Sequence, residues 1–338
     1  MHHLSDFDYS LPPEQIAQHP LPDRAASRLL VLDHATGRTR HLHFGDLPTL
    51  IPADDLLVLN TSRVIPARLH GKRETGNAEI LLVRELSDGA WLAMGHPGGK
   101  LKPGRRVTFG EDSAVEIVEI LGGGLRTIRF VGSLDARATL AKYGEVPLPP
   151  YIRRPPTKAD QDRYQTVYAA HDGSVAAPTA GLHFTTELLA RIQQQGTLVT
   201  AIDLHVGPGT FKPVETEDLN HHTMHPEAYA ISQEAARSVN QNRGKVWAVG
   251  TTVVRALESA ADSPSHVRSG AAETSLFIRP TYDFKMVNHL ITNFHLPHST
   301  LLMLVCAFGG YERVMGAYRE AVREGYRFYS YGDAMAII

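Results

Sequence analysis

Only one cysteine occurs in the 338 residues, so an internal disulfide is excluded. This residue, Cys306, lies in the apolar run 301–308 (LLMLVCAF), which favours a buried packing role over a reactive nucleophile. A lone cysteine is typical of proteins from a reducing cytosol. We therefore expect a cytoplasmic protein that is stabilised by core packing alone.

Long apolar runs are also missing. None approaches the roughly 20 residues that span a bilayer, and the N-terminal MHHLSDFDY has no apolar segment typical of a secretory signal. The signatures of three large enzyme classes are absent as well: there is no P-loop, no GxGxxG after a strand and no GxSxG elbow. Phosphotransfer, hydride transfer and serine hydrolysis therefore lose their usual support, and no membrane partner is expected.

A metal site has weak support. The run HHTMHPE (221–227) offers His222, His225 and Glu227, which are ligand types. Zinc sites usually combine a firmer spacing with distant ligands, and neither a cysteine pair nor an HExxH run is present. We expect no metal, and we keep a metal hydrolase built on these three residues as the alternative enzyme class.

The net charge of −2 shows no excess of basic residues, but the basic residues are clustered. A protein that binds a polyanion needs such local clusters rather than an overall positive charge. Any one cluster alone is explained as well by ordinary solvated charge on loops and strand edges. The clusters are Arg63, Arg68, Lys72 and Arg73; Lys100, Lys102, Arg105 and Arg106; and Arg153, Arg154 and Lys158.

Two kinds of pattern divide the chain. Between 68 and about 132, roughly six short strand-like runs separated by Gly-rich turns predict a small antiparallel barrel. A Pro-rich bridge (146–156) follows, and strand and helix patterns then alternate to the end, which predicts a sheet covered on both faces. The fold class expected is α/β, a three-layer sandwich with a mixed, largely parallel sheet. Its catalytic domain would comprise 1–67 and 157–338, with the inserted β-barrel domain and bridge at 68–156.

Polar clusters follow four predicted element boundaries, where α/β folds bind ligands. They are PTAGLHFT (178–185), DLHVGPGTFKPV (203–214), GTT (250–252) and TNFHLPHST (292–300). Thr251 and Arg255 are four residues apart on one predicted helix, so Arg255 is placed to hold a carboxylate through a two-pronged contact. Each histidine taken singly is more often a satisfied core or loop residue, but four clusters together indicate a site.

A set of distinctive runs extends over essentially the whole sequence. These runs are DFDYSLPPEQIAQHP, DDLLVLNTSRVIPARLHG, YQTVYA with GSVAAPTAGLHFT, LHVGPGTFKPV, HHTMHPEAY, GTTVVRALES, LITNFHLPHSTLLMLVCAFGG and YRFYSYGDAM. In this order they resemble the S-adenosylmethionine:tRNA ribosyltransferase-isomerase family of queuosine biosynthesis. The sequence departs from the family pattern at Thr281, where glycine is usual, at Asn288, where aspartate is usual, and within 60–62.

The resemblance implies a tRNA substrate that carries 7-aminomethyl-7-deazaguanine at the wobble position. S-Adenosylmethionine would be a consumed co-substrate that supplies its ribosyl carbons, with epoxyqueuosine-tRNA, adenine and methionine as products. The family needs no metal or redox cofactor, and monomers are expected. A tRNA-binding module without turnover is the non-enzyme alternative, against which the four polar clusters argue.

The catalytic and S-adenosylmethionine-binding candidates are assigned by their positions in or next to the matching runs, and the tRNA-binding candidates by the basic clusters. His183, His205 and His295 are the acid or base candidates, and Asp203 and Glu227 are weaker ones. The predicted S-adenosylmethionine-binding residues are Thr179, Gly181, Gly207, Gly209, Thr251, Thr252 and Arg255. The predicted tRNA-binding residues are Arg63, Arg68, Lys72, Arg73, Tyr151, Arg153, Arg154 and Lys158. Tyr151 is either a stacking platform for an anticodon base or an internal brace.

Overall fold

The computed structural model describes residues 3–207, 214 and 216–338. It is a mixed α/β structure with one large mixed sheet and a separate antiparallel sheet. The strands are β1 (Arg28–Leu32), β2 (Thr39–His43), β3 (Leu56–Asn60), β4 (Ser62–Val64), β5 (Arg68–Arg73), β6 (Gly76–Glu85), β7 (Trp91–His96), β8 (Arg106–Phe109), β9 (Ser113–Ile120), β10 (Leu125–Gly132), β11 (Gly144–Glu145), β12 (His171–Ser174), β13 (Leu198–Leu204), β14 (Glu227–Ile231), β15 (Val246–Val249), β16 (Ala261–Ser263), β17 (His266–Val267), β18 (Gly270–Thr274), β19 (His289–Asn293) and β20 (Ala334–Ile337). The helices are α1 (Ala136–Tyr143), α2 (Lys158–Arg163), α3 (Thr186–Gln194), α4 (Gln233–Gln241), α5 (Thr251–Ala260), α6 (Thr300–Gly309) and α7 (Tyr311–Arg323).

The large sheet has the strand order β18-β14-β13-β3-β15-β19-β20-β1-β2. Parallel pairing joins β13, β3, β15 and β19 at its centre and β20 to β1. The other pairings are antiparallel, including β1 with β2, whose short connection excludes a parallel crossover. The prediction of a mixed sheet is confirmed, but parallel pairing is limited to the centre and β20–β1, so "largely parallel" was wrong.

Both faces of this sheet are buried, because successive residues of each strand point to opposite sides. On β1, Leu30 and Leu32 pack with α4, α5, α6 and α7. Leu29 and Val31 pack on the other face with α3 and the short 3₁₀ helices Phe44–Thr49 and Thr179–His183. The near-continuous apolar strands seen in the sequence are therefore explained by burial on two sides.

The antiparallel sheet has the order β11-β5-β6-β7-β10-β9-β8 and encloses its own apolar core. One residue pair, Lys72 with Thr108, also joins β5 to β8. Gly71 permits this approach, because a Cβ there would lie 2.6 Å from the Thr108 carbonyl oxygen. The predicted antiparallel unit is thus present. A single residue pair links β5 to β8, so this unit is a seven-stranded antiparallel sheet, and the prediction of a closed barrel is not confirmed. Within the described ranges, no helix is both long and apolar enough to cross a membrane.

Candidate active site

A cavity of about 1640 Å³ is lined by residues of both sheets. One wall comes from the residues that follow β13 and from β14 and α5, and the other from β6, β7 and β10 of the antiparallel sheet. Pockets for a single small molecule usually measure about 300–1,000 Å³. This cavity therefore has room for two ligands side by side.

Four of the predicted site residues line this cavity: His205, Gly207, Glu227 and Arg255. The local topology explains why they meet. His205 and Gly207 follow the end of β13, and Glu227 begins β14, which pairs antiparallel with β13. Arg255 lies on α5 and reaches Glu227 with its guanidinium group. His205 and Arg255, which are 50 positions apart in the chain, thus converge on one wall.

His205 is the predicted histidine that faces the cavity. Its ring rests on the backbone of Gly173, where an added Cβ would lie 2.8 Å from the ring carbon Cε1. Its Nδ1 atom is buried and has no hydrogen-bond partner among the described residues. Burial lowers the pKa of His205, although the nearby Asp203 carboxylate opposes this shift. The imidazole is therefore neutral near pH 7, and its ring borders the cavity.

Glu227 and Arg255 form a buried ion pair on the same wall. The backbone N–H of Gly207 donates to Glu227 Oε1 at 3.2 Å. Arg255 also donates to the carbonyl oxygens of Leu276 and Thr274, at 3.3 and 3.4 Å. The guanidinium is thus engaged by protein acceptors, so a ligand carboxylate would bind Arg255 beside Glu227 or in its place.

The segment 221–225 also lines the cavity, next to Glu227. The sequence pointed to it only as a weak metal motif. The His222 ring meets the Phe277 ring edge-on, with centroids 5.1 Å apart. Burial, followed by the nearby charge of His225, lowers the pKa of His222. Among the residues that the structure describes, no group of three or more His, Cys, Asp or Glu side chains is arranged to hold a metal ion.

His183 and His295 lie elsewhere and do not line the cavity. Asn293 donates from Nδ2 to His183 Nε2 at 3.2 Å, and the opposite ring nitrogen, Nδ1, contacts Ser27 Oγ at 2.9 Å. His295 Nε2 lies 2.8 Å from Thr292 Oγ1. Burial lowers the pKa of His183 to about 4 and that of His295 to about 3. In this arrangement both imidazoles are neutral and occupied by protein partners.

These two histidines predict a pH-dependent stability. The unfolded chain protonates each imidazole near its ordinary pKa of 6.5, whereas the folded chain resists protonation down to about 4 at His183. The contribution of each histidine to the free energy of unfolding should therefore be fully present above pH 6.5. It should fall toward pH 4 by about 1.4 kcal/mol per pH unit for each histidine. Urea unfolding of wild type and His183→Gln between pH 7 and pH 5 measures this. The variant cannot titrate and should lose less stability, and equal pH slopes would contradict the argument.

The remaining carboxylate and threonine candidates lie behind the cavity wall. Asp203 accepts from Thr61 Oγ1 at 2.8 Å and contacts His171 Nδ1 at 2.9 Å. Thr251 and Thr252 open α5, and Thr252 Oγ1 accepts from the buried Asn60 amide at 3.4 Å. These contacts tie the ends of β3, β13 and β15 together, so they fix the positions of the cavity residues.

The glycine candidates differ in their surroundings. An added Cβ at Gly181 would lie 2.2 Å from the Tyr168 hydroxyl, so this glycine allows close internal packing next to Thr179. Among the described residues, no atom lies within 4 Å of a Cβ added at Gly207, which borders the cavity and donates its N–H to Glu227. Gly209 lies outside the described residues.

The predicted tRNA-binding residues are scattered. The Tyr151 ring packs on the Tyr329 ring, with centroids 4.1 Å apart, and its hydroxyl lies 2.5 Å from Ser330 Oγ, which favours the brace interpretation. Arg154 forms a two-pronged ion pair with the buried Asp160. The others lie on the surface or at its margin: Arg63, Arg68, Lys72, Arg73, Arg153 and Lys158.

Two departures from the family pattern have local structural explanations. Thr281 has a φ of 85°, a left-handed conformation that glycine adopts more easily than threonine. Asn288 accepts the backbone N–H of Val246 through Oδ1 at 2.9 Å, a contact that an aspartate oxygen would also make. Both residues thus shape loops near β15 and β19.

Comparisons with known proteins agree with this architecture. A family model described as queuosine biosynthesis protein matches residues 4–337. An S-adenosylmethionine:tRNA ribosyltransferase-isomerase from Thermus thermophilus is 52% identical over 351 residues, with 100% of both chains covered. One from Trichlorobacter lovleyi is 47% identical over 339 residues, with 99% of each covered. The crystal structure of an S-adenosylmethionine tRNA ribosyltransferase from Thermotoga maritima is 38% identical, with 98% of this chain and 100% of that chain covered and a TM-score of 0.57. The chain therefore belongs to the queuosine biosynthesis family and is a transferase-isomerase enzyme.

Proposed function

We propose that this enzyme transfers and isomerises the ribosyl group of S-adenosylmethionine onto 7-aminomethyl-7-deazaguanine at the wobble position of tRNA. Epoxyqueuosine-tRNA, adenine and methionine are the products. The observation that carries this proposal is the single cavity of about 1640 Å³, large enough for two substrates and lined by His205 and the Glu227–Arg255 pair. A reaction between a sulfonium nucleoside and a tRNA base requires both to occupy one site.

The chemistry of the reaction suits a neutral imidazole. A sulfonium acidifies the neighbouring ribose C–H, so a positioned base can remove that proton, and the leaving adenine needs a proton. The aminomethyl group attacks only when its ammonium has lost a proton. His205 is the described residue best placed for one of these transfers, because its ring borders the cavity. His222 also lines the cavity and has a lowered pKa. General acid–base catalysis contributes about 10²–10⁴-fold per group.

The domain organisation and cellular setting complete the proposal. We take 1–67 with 157–338 as the catalytic domain and 68–156 as a barrel domain, so the cavity would lie at their boundary. S-Adenosylmethionine is the consumed co-substrate, and the reaction requires no metal or redox cofactor. The protein acts as a cytoplasmic monomer on tRNA.

Release of labelled adenine is the direct test. The purified chain is incubated with S-adenosylmethionine labelled in its adenine and with tRNA that carries the aminomethyl precursor. We expect one free adenine for each tRNA modified, and none with the same tRNA bearing guanine at that position. Binding of tRNA without adenine release would support the module without turnover. Stoichiometric zinc or iron in the purified protein, with activity lost on chelation, would support the metal hydrolase.

A further inference from the structure

One face of the antiparallel sheet connects the cavity with a second groove. Residues paired across neighbouring strands project to the same side of a sheet. Met94 pairs with Leu81 and Leu125, and both Met94 and Leu125 line the cavity. His96 lies two residues further along β7 and borders a groove of about 610 Å³. Two residues of a strand span roughly 7 Å, so the groove and the cavity adjoin on one face.

The two ends of this face differ in chemistry. At the cavity end, β6, β7 and β10 contribute the apolar side chains Val83, Trp91, Leu92, Met94 and Leu125, with the charged Arg84, Glu85 and Arg129 at its margin. The groove end is polar and carries His70, Lys72, Asn77, His96 and Thr108, with one acidic residue, Glu79. Lys72 is exposed and has no acidic partner within 4 Å among the described residues.

The strands that form this face also carry a net positive charge. The strands that form this face, β5, β6, β7 and β10, contain six lysines and arginines and two acidic residues, a net charge of +4, whereas the whole chain carries −2. The strands that form this face are therefore basic within a protein that is slightly acidic. Such a local excess of positive charge attracts a polyanion, whereas the slightly acidic remainder of the molecule does not.

We propose that this face binds the anticodon strand of the tRNA on either side of the target base. Unstacked bases occupy the apolar end next to the cavity, and backbone phosphates occupy the groove at Lys72 and His96. Single-stranded RNA is recognised in this way, by apolar or aromatic surfaces that hold bases and by cations that hold phosphates. The inference rests on the proposed function, since it takes the target base into the same cavity.

Substitution of Lys72 tests the groove end. Fluorescence anisotropy measures binding of precursor tRNA as a function of salt for wild type, Lys72→Ala, Lys72→Glu and the control Arg237→Ala, an exposed cation on α4. We expect Lys72→Ala to weaken binding about 3–10-fold near 0.1 M salt and to reduce the salt slope by about 1, because one phosphate contact is lost. Lys72→Glu should weaken binding further, and Arg237→Ala should match wild type.

Substitution of Met94 tests the apolar end, and turnover separates this inference from the proposed function. Met94→Gln should weaken tRNA binding and leave the salt slope at its wild-type value, because no charge is changed. In steady state, Lys72→Ala should raise KM for tRNA and leave kcat and KM for S-adenosylmethionine unchanged. If the wild type is active but the Lys72 variants bind tRNA as tightly as Arg237→Ala does, the proposed binding surface is wrong and the proposed function still stands. Equal competition by tRNA and polyglutamate would also overturn it and indicate an acidic protein partner. An inactive wild type would refute the proposed function, while the binding series would still decide the surface.

Discussion

Replacement of His205 by alanine is expected to lower the rate of adenine release in a single turnover by about 10²–10⁴-fold. His205 lines the cavity, and its buried Nδ1 has no hydrogen-bond partner among the described residues. A ring in this position can transfer a proton to or from a substrate, and alanine cannot. The rate is measured with enzyme in excess over precursor tRNA, so that product release does not mask the chemical step. His266→Ala, which removes an exposed histidine paired with Asp262, is the matched control.

The packing around His205 supplies further tests of the same assignment. An alanine at Gly173 would place its Cβ 2.8 Å from the ring, at a backbone φ of 140° that alanine rarely adopts. Gly173→Ala should therefore displace the imidazole and slow adenine release without removing the group.

If His205 is the base, activity is lost as pH falls, because the ring must be neutral. Asp203→Asn removes a charge that raises the pKa of His205, so this acidic limb should move to lower pH. A folded His205→Ala enzyme with a near wild-type rate would exclude His205 from proton transfer.

Local sequence signals predicted local structure well. Thr185, Ser232 and Ser299 are of the residue types that favour helix N-caps, and each accepts a backbone N–H from the first turn of its helix. The Gly-rich turns predicted between short strands include residues 122–124, which join the antiparallel strands β9 and β10. Such features depend on a few neighbouring residues, so the sequence contains the information that determines them.

Whether a side chain faces the cavity or the interior depends on residues that are distant in the chain, so the sequence predicted this less well. His183, His205 and His295 carried the same signal, a histidine inside a matching run at an element end. The structure places His205 in the cavity, whereas His183 and His295 bond to Asn293 and Thr292 in the interior. No local pattern separates these outcomes, because the partners come from other strands or depend on how the chain folds back. The 221–225 wall was underestimated for the same reason, since its neighbour Phe277 is remote in sequence.

Loss of one member of the Glu227–Arg255 pair is expected to reduce stability more than any surface change. The exposed fraction of the side chain is 5% for Glu227 and 6% for Arg255. Removal of one partner leaves a buried charge without its counter-charge, which costs about 3–5 kcal/mol. Arg255→Met should thus lower the free energy of unfolding by this amount in urea. Arg106→Met, which breaks the exposed pair with Glu116, should cost at most about 1 kcal/mol.

The double variant Arg255→Met/Glu227→Gln separates stability from ligand binding. It removes both charges, so most of the stability lost in Arg255→Met should return. If Arg255 holds the methionine carboxylate, the recovered fold will still bind S-adenosylmethionine weakly, because a charged hydrogen bond to the ligand is missing. Isothermal titration of the double variant at a temperature where it is fully folded makes the comparison. Wild-type affinity would show that the pair only supports the cavity wall, and that the carboxylate is bound elsewhere.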